Sequence, residues 1–470
     1  MNAQTNSFIT RKAALTALLF FIAFYGLCLP HVAAAQNPPE PRREQLLNGL
    51  RVVLSPRPGD ANVFLKLRIH SGAIFDTAGK AGTMALLGDA LFPDPATREY
   101  FTEELGGRLL VTTDADSINI TLGGRATEFE RIVEQLRSAI FNFSPTAESA
   151  SKLRDARAKL VRETSVVPAT IADRAIAARL FGDYPLGRSF TGTADSLARI
   201  ERSDVLFARE RFLNPNNATL VVTGGIDTTR AMRLLRQRLG AWRQSEAIVP
   251  PTFRQPAAPD SRTLIVDLPN TETAEIRLAA RSITRSDQNY ATATLLALLA
   301  RDRWQTAFPQ LGKSAFFVRD ETHALPGIFV MGASVPAPTA ANALAAARAV
   351  LNTLATTQPT AAEIERVRAE ALAMLNKQFE QPETLADLWL DADTYKLYAL
   401  EDQIKQIKTV TPAAMQRTAA RLFLSAPLAS VAVGSAAQLK TDFERTGRVE
   451  VMGAASDAIQ NKLPPPKPPQ

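Results

Sequence analysis

The side chains able to do acid–base, nucleophilic or metal chemistry are few in this sequence and poorly spaced for it. It has three histidines and one cysteine in 470 residues. His31 and Cys28 fall in an N-terminal stretch with the features of a leader, which leaves His70 and His323. A helical zinc site needs two imidazoles at i and i+4, so that both project from one face. Neither histidine has such a partner. His70 ends the polar face of a strand, and His323 lies in the loop Asp320-Glu321-Thr322-His323, so both read as solvated or structurally bonded. There is no G-x-S-x-G stretch and no cysteine or serine nucleophile set. Gly82 to Phe92 reads as a short amphipathic helix after a Gly-rich turn.

The elements that would position these residues follow from the rest of the chain. A net charge of +7, 46% hydrophobic and 21% charged residues make an ordinary globular profile, long enough for two to four domains. Acids and bases are interspersed, which argues against a nucleic-acid partner. Arg11-Lys12, the apolar run Ala13 to Leu29 and Ala33-Ala34-Ala35 form an export signal over residues 1–35. The expectation is an exported protein in the periplasm of a Gram-negative bacterium, with no membrane span after cleavage and no cysteine left for disulfides.

Residues 36–44 read as a polar, proline-broken linker. Leu50 to Ser55 reads as a strand. Val63 to His70 alternates, with Val63, Leu65, Leu67 and Ile69 on one face and Lys66, Arg68 and His70 on the other, a half-buried strand. Leu109 to Thr113 and Ser117 to Leu122 form a hairpin, Pro145 opens a long helix through about Arg162, and Ala218 to Gly224 is a buried strand. The pattern then repeats. Ser144-Pro145-Thr146 recurs as Gln358-Pro359-Thr360, and Leu220 to Gly224 as Ser430 to Gly434, at offsets of 214 and 210 residues (144 to 358, 220 to 430). One domain is duplicated. The expected fold class is α+β, two homologous domains at 45–245 and 262–455, each a mostly antiparallel sheet with helices packed on one face. A Pro-rich connector at 246–261 joins them, and 456–470 is a Pro-rich tail.

In this order and spacing the chain resembles the insulinase/pitrilysin family of zinc peptidases, in its half-length, processing-peptidase-like form. The resemblance rests on the paired opening strands, Gly79 and Gly82, Ala90-Leu91-Phe92, Leu105-Gly106-Gly107, Tyr184-Pro185-Leu186-Gly187-Arg188 with Gly192-Thr193, and the strand closing on Gly224. Active members carry H-x-x-E-H on the first helix, two zinc ligands around a general base, with a Glu ligand on a later helix. Aligned on Gly82-Thr83 and Ala90-Leu91-Phe92, those positions are Ala85, Gly88 and Asp89, with Glu163 of Val161-Arg162-Glu163-Thr164 at the distant ligand, 74 residues on (89 to 163). Two carboxylates are fewer oxygen donors than a hard cation takes. Alanine and glycine offer no donor. The resemblance therefore implies a homologue that is not itself catalytic and holds no zinc, although zinc is expected in active relatives. It also implies a catalytic sibling subunit as partner and peptides or unfolded polypeptide as what the pair encloses. An extended peptide could add to the strand Leu109, Leu110, Val111, Thr112 and Thr113. The alternatives are a stand-alone peptide-binding or scaffold protein of the cell envelope, and a peptidase with an atypical site.

Overall fold

The computed structural model describes residues 40–453 apart from 247, 310, 313, 314 and 398. The leader at 1–35 and the tail at 456–470 lie outside the described residues. The described strands are β1 (Arg42–Gln45), β2 (Arg51–Pro56), β3 (Asn62–Ile69), β4 (Arg108–Thr113), β5 (Ile118–Arg125), β6 (Ala218–Gly224), β7 (Thr263–Asp267), β8 (Thr273–Arg281), β9 (Phe316–Glu321), β10 (Ile328–Pro336), β11 (Ala429–Gly434) and β12 (Val449–Gly453). They form two six-stranded sheets, ordered β1-β2-β6-β3-β5-β4 and β12-β7-β11-β8-β10-β9.

The orders superimpose strand for strand over five positions, so the duplication read from the sequence is a duplication of topology. Four of five pairings are antiparallel in the first sheet and three of five in the second; β2–β6, β7–β11 and β7–β12 are parallel. The sixth strand comes from opposite ends of the chain. Arg42–Gln45, expected in a linker, pairs antiparallel with β2 from Arg42↔Leu54 to Gln45↔Arg51. Its charged and amide side chains suit an edge, where backbone pairing needs no apolar face. At the other end β12 runs parallel to β7.

The first half carries α1 (Thr83–Leu91), α2 (Ala96–Glu103), α3 (Phe129–Phe141), α4 (Ala147–Ser165), α5 (Pro168–Phe181), α6 (Ala194–Ala198), α7 (Arg202–Phe212) and α8 (Thr228–Leu239). The second carries α9 (Tyr290–Ala307), α10 (Ala340–Thr356), α11 (Ala361–Glu380), α12 (Pro382–Thr394), α13 (Leu400–Thr409), α14 (Pro412–Phe423) and α15 (Ala436–Thr446). Val63, Leu65, Leu67 and Ile69 of β3 sit in an apolar core shared with α1, α3, α7 and α8, through residues such as Leu87, Ile132, Phe212 and Leu235. Each buried side chain of this size contributes about 1.5–3 kcal/mol.

This is the expected α+β class, with each half's own helices on one face of its sheet. The opposite faces are covered as well, because the halves exchange a helix. α5 of the first half packs on β8 and β11 of the second sheet, and α12 of the second half packs on β3 and β6 of the first. Lys66 and Arg68 are consequently buried, where the alternation of β3 alone suggested a solvated face.

Candidate functional site

Helix α1 is aimed before it begins. Gly82 precedes it with φ of 98°, a left-handed conformation that suits glycine, and an added Cβ would stand 3.0 Å from the Gly192 Cα. The Asp76 carboxylate accepts from the backbone N–H of Gly82 (2.7 Å) and of Met84 (2.8 Å), satisfying free donors at the helix start. Burial pushes Asp76 up to about 7, against the pull of those two N–H groups.

Of the positions that would hold H-x-x-E-H, Ala85 is buried at 1% exposure and Gly88 is buried too. Gly88 lies against the hairpin. A Cβ there would stand 3.2 Å from Val111 Cγ1, 3.3 Å from Thr113 Oγ1 and 3.4 Å from Ile118 Cγ2. The glycine is thus a packing residue that lets α1 approach β4 and β5. A larger residue would require those three side chains to give by a few tenths of an ångström at Cβ.

Asp89 meets a cation from α4. Arg157 donates through Nε to Asp89 Oδ2 (2.6 Å) and through Nη2 to Asp89 Oδ1 (2.7 Å), with a third, longer bond from Nη2 to the Ala85 carbonyl (3.3 Å). This is the two-pronged guanidinium–carboxylate geometry, stronger and more directional than a single ion pair. The Arg157 side chain is 13% exposed and that of Asp89 26%. A guanidinium engages the one carboxylate that remains at the motif.

Glu163 does not stand opposite Asp89. Its side chain is 60% exposed, and its ion-pair partner is Lys159 at 3.9 Å. The reason is helical phase. Leu153, Arg157, Val161 and Ser165 recur every four residues, and Val161 and Ser165 are buried. Glu163, two residues past Val161, is turned about 200° around the axis, away from α1. Counting 74 residues locates a position in the sequence but not a face of the helix. The Arg157 pair was missed, though a signal existed: a lone arginine in the inward stripe of a helix calls for a buried acid.

Ala85, Gly88, an Asp89 engaged by Arg157 and an outward Glu163 do not fit zinc. Among the described residues no group of three or more His, Cys, Asp or Glu side chains is placed to hold a metal ion. His70 Nε2 lies 2.8 Å from Arg51 Nη2 and 2.9 Å from Thr219 Oγ1. Burial, and then the Arg51 charge, lower its pKa to about 3, so it is a neutral acceptor beneath α12. His323 joins the halves: its Nδ1 lies 3.4 Å from Asp116 Oδ2, which also accepts from Tyr395 Oη (2.8 Å) and the Ala324 N–H (3.0 Å). Burial works to lower the His323 pKa, but Asp116 outweighs it and raises it. Both histidines are structurally bonded.

Leu109 to Thr113 lie in β4, which ends the first sheet and, among the described residues, pairs only with β5 (Leu109↔Leu122, Thr113↔Ile118). Leu109 is buried, Val111 and Thr113 face Gly88, and Leu110 is 46% exposed. No helix among the described residues is long and apolar enough to cross a membrane.

The family model described as "Peptidase M16 inactive domain" matches residues 199–371, from the end of the first half into the second. An uncharacterized zinc protease of Mycobacterium leprae is 23% identical over 204 residues, covering 42% of this chain and 46% of that protein. Subunit 1 of the mitochondrial cytochrome b-c1 complex of Mus musculus is 22% identical over 213 residues, covering 44% of each. The chain thus spans about half the length of the curated relatives it matches. The crystal structure of a protease from Helicobacter pylori superimposes with a TM-score of 0.78 at 16% identity, covering 84% of this chain and 99% of that one, a likeness of fold. The duplicated sheets and these matches make the chain similar to the insulinase-like M16 peptidases, in fold over most of its length and in sequence over part of it.

Proposed function

We propose that this protein is an exported, non-catalytic homologue of the zinc metallopeptidases that pairs with a catalytic sibling and completes a peptide-binding chamber. The observation that carries this reading is the Asp89–Arg157 pair: an internal cation neutralises the remaining carboxylate at the motif, and neither Ala85 nor Gly88 can bind metal or take a proton. The leader at 1–35 supports export to the periplasm. The match over residues 199–371 supports kinship with the M16 peptidases, and the match to a subunit of a larger complex supports a partner. The edge strand β4, with Leu110 exposed, supports peptide binding by strand addition. That same edge favours a second reading, a stand-alone peptide-binding or scaffold protein of the cell envelope, which needs no sibling.

The test is expression of residues 36–470 alone and together with a family member bearing an intact H-x-x-E-H, followed by zinc analysis, sedimentation and peptide cleavage. The expected result is no zinc and no cleavage by the isolated chain, and a stable complex with the sibling. Zinc near one per chain with cleavage by the chain alone sinks the proposal, and peptide binding without any complex selects the scaffold. A restoration series bears on the site directly. Ala85→His, Gly88→Glu and Asp89→His together bind no zinc while Arg157 remains and Glu163 faces outward; zinc uptake by that triple variant would mean that α4 can rotate.

A further inference from the structure

A second site lies on the far side of the molecule's exchanged helix. α5 covers β8 and β11 but leaves the outer strands of the second sheet. Between α5, strands β9 and β10 and the loop Leu186 to Thr191 there is a space of about 320 Å³. That volume is at the lower end of the range of about 300–1,000 Å³ for small-molecule sites.

The lining divides in two. Ile176 and Phe181 of α5, Leu186 of the loop and Ile328 and Val330 of β10 form an apolar wall. Arg174, Arg188 and Arg319 bring positive charge, against the two carboxylates of Asp173 and Glu321. Those two acids are already engaged. Asp173 Oδ1 accepts from the buried Arg277 (2.6 Å) and its Oδ2 from Arg319 (3.3 Å), while Glu321 pairs with Arg319 at 3.1 Å. Arg188 instead donates to a neutral acceptor, the backbone carbonyl of Asp183, at 2.9 and 3.1 Å. The lining therefore carries more positive than negative charge beside an apolar wall, and both of its acids are paired with arginine. Arginine is the residue best shaped to take a carboxylate in such a place.

We infer that this space binds a small apolar group ending in a carboxylate, with the apolar part against Ile176, Phe181 and Ile328 and the carboxylate toward Arg188. Two sources share that chemistry, the C-terminal residues of a peptide and a medium-chain fatty acid. The site lies within one chain and does not depend on a catalytic sibling, so it stands or falls apart from the function proposed above.

Isothermal titration on residues 36–470 uses three probes: N-acetyl-leucyl-phenylalanine as the free acid, its C-terminal amide, and octanoate. The expected result is binding of an acid with a Kd of about 1 mM or tighter, with the amide at least tenfold weaker. Arg188→Glu weakens the acid by tenfold or more. Ala177→Trp, which fills the space from α5, abolishes binding while an unchanged thermal melt shows that the fold is kept. The tighter of the two acids names the source. Equal binding of acid and amide, unchanged binding in Ala177→Trp, or no binding of either acid overturns the site.

Discussion

The two exchanged helices occupy equivalent places and are held by different balances of the same forces. α5 meets the second sheet mainly through Ile171, Ala172, Ala175, Ile176 and Leu180, packed on Leu264, Val266, Ala279, Val431 and Val433, with ion pairs from Asp173 to Arg277 (2.6 Å) and from Arg179 to Glu450 (2.8 Å). α12 buries Leu385, Leu388 and Trp389 but also sets a row of acids on the first sheet. Asp387 pairs with Lys66 (2.7 Å), Asp391 with Arg68 (2.7 Å), and Asp393 with Arg51 (2.8 Å). A duplicated topology fixes where a helix lies without fixing what binds it. The apolar contact tolerates small shifts and resists salt. The ionic contact holds one register, since each cation must meet its own acid, and it carries the cost of taking those charges out of water.

The largest effect that can break this comparison is expected at Asp391. Asp391→Ala leaves the buried Arg68 without its carboxylate, and Arg285 loses a partner at 3.3 Å. A loss of about 3–5 kcal/mol in urea denaturation is expected. A loss below about 1 kcal/mol would mean that α12 is held by something other than its acids. Ile176→Ala, on the apolar side, is expected to cost about 3 kcal/mol through lost burial and a cavity. Raising salt to 1 M should shrink the Asp391→Ala penalty and leave the Ile176→Ala penalty unchanged; equal responses would erase the distinction.

The two histidines sharpen the comparison through pH. His70, under α12, has a folded pKa of about 3, below its usual value. It stays neutral while the unfolded chain takes up a proton, so stability falls as pH drops from about 6.5 toward 3, by up to about 1.4 kcal/mol per unit. His70→Gln should flatten that acid limb. His323 has a raised pKa, so its contribution is full below the unfolded value and lost as pH rises through the folded one. His323→Gln should therefore destabilise more at pH 5.5 than at pH 8.5. A reversed order in either variant would show that neighbouring carboxylates dominate.

The smallest effect is expected when a whole pair is replaced. Lys66→Met with Asp387→Leu puts an apolar pair where Lys66 meets Asp387 at 2.7 Å. The change in stability should stay within about 1 kcal/mol, because the lost attraction and the relieved desolvation offset. A large loss would mean that Glu383, 3.6 Å from Lys66, depends on that ammonium.

Much of the fold was legible. The alternation in Val63 to Ile69, the hairpin around Asp114-Ala115-Asp116 and the recurrence of Leu220 to Gly224 near Ser430 each reflect local periodicity or turn chemistry, which a strand expresses wherever it lies. The burial of Lys66 and Arg68 was not legible in β3 because the acids that cover them lie more than 300 residues away on α12. Arg42–Gln45 was not read as a strand because an edge strand needs a partner and no apolar pattern of its own.

At the motif the division is the same. Residue identity alone determined that Ala85 and Gly88 can supply neither ligand nor base, since a missing donor is missing in any fold. The duplication of one domain was also set down in the linear pattern. Only the tertiary structure decided that Arg157 meets Asp89, that Glu163 turns outward and that Gly88 is needed for close packing against β4. Those outcomes depend on helical phase and on the approach of distant elements, which spacing along the chain does not encode.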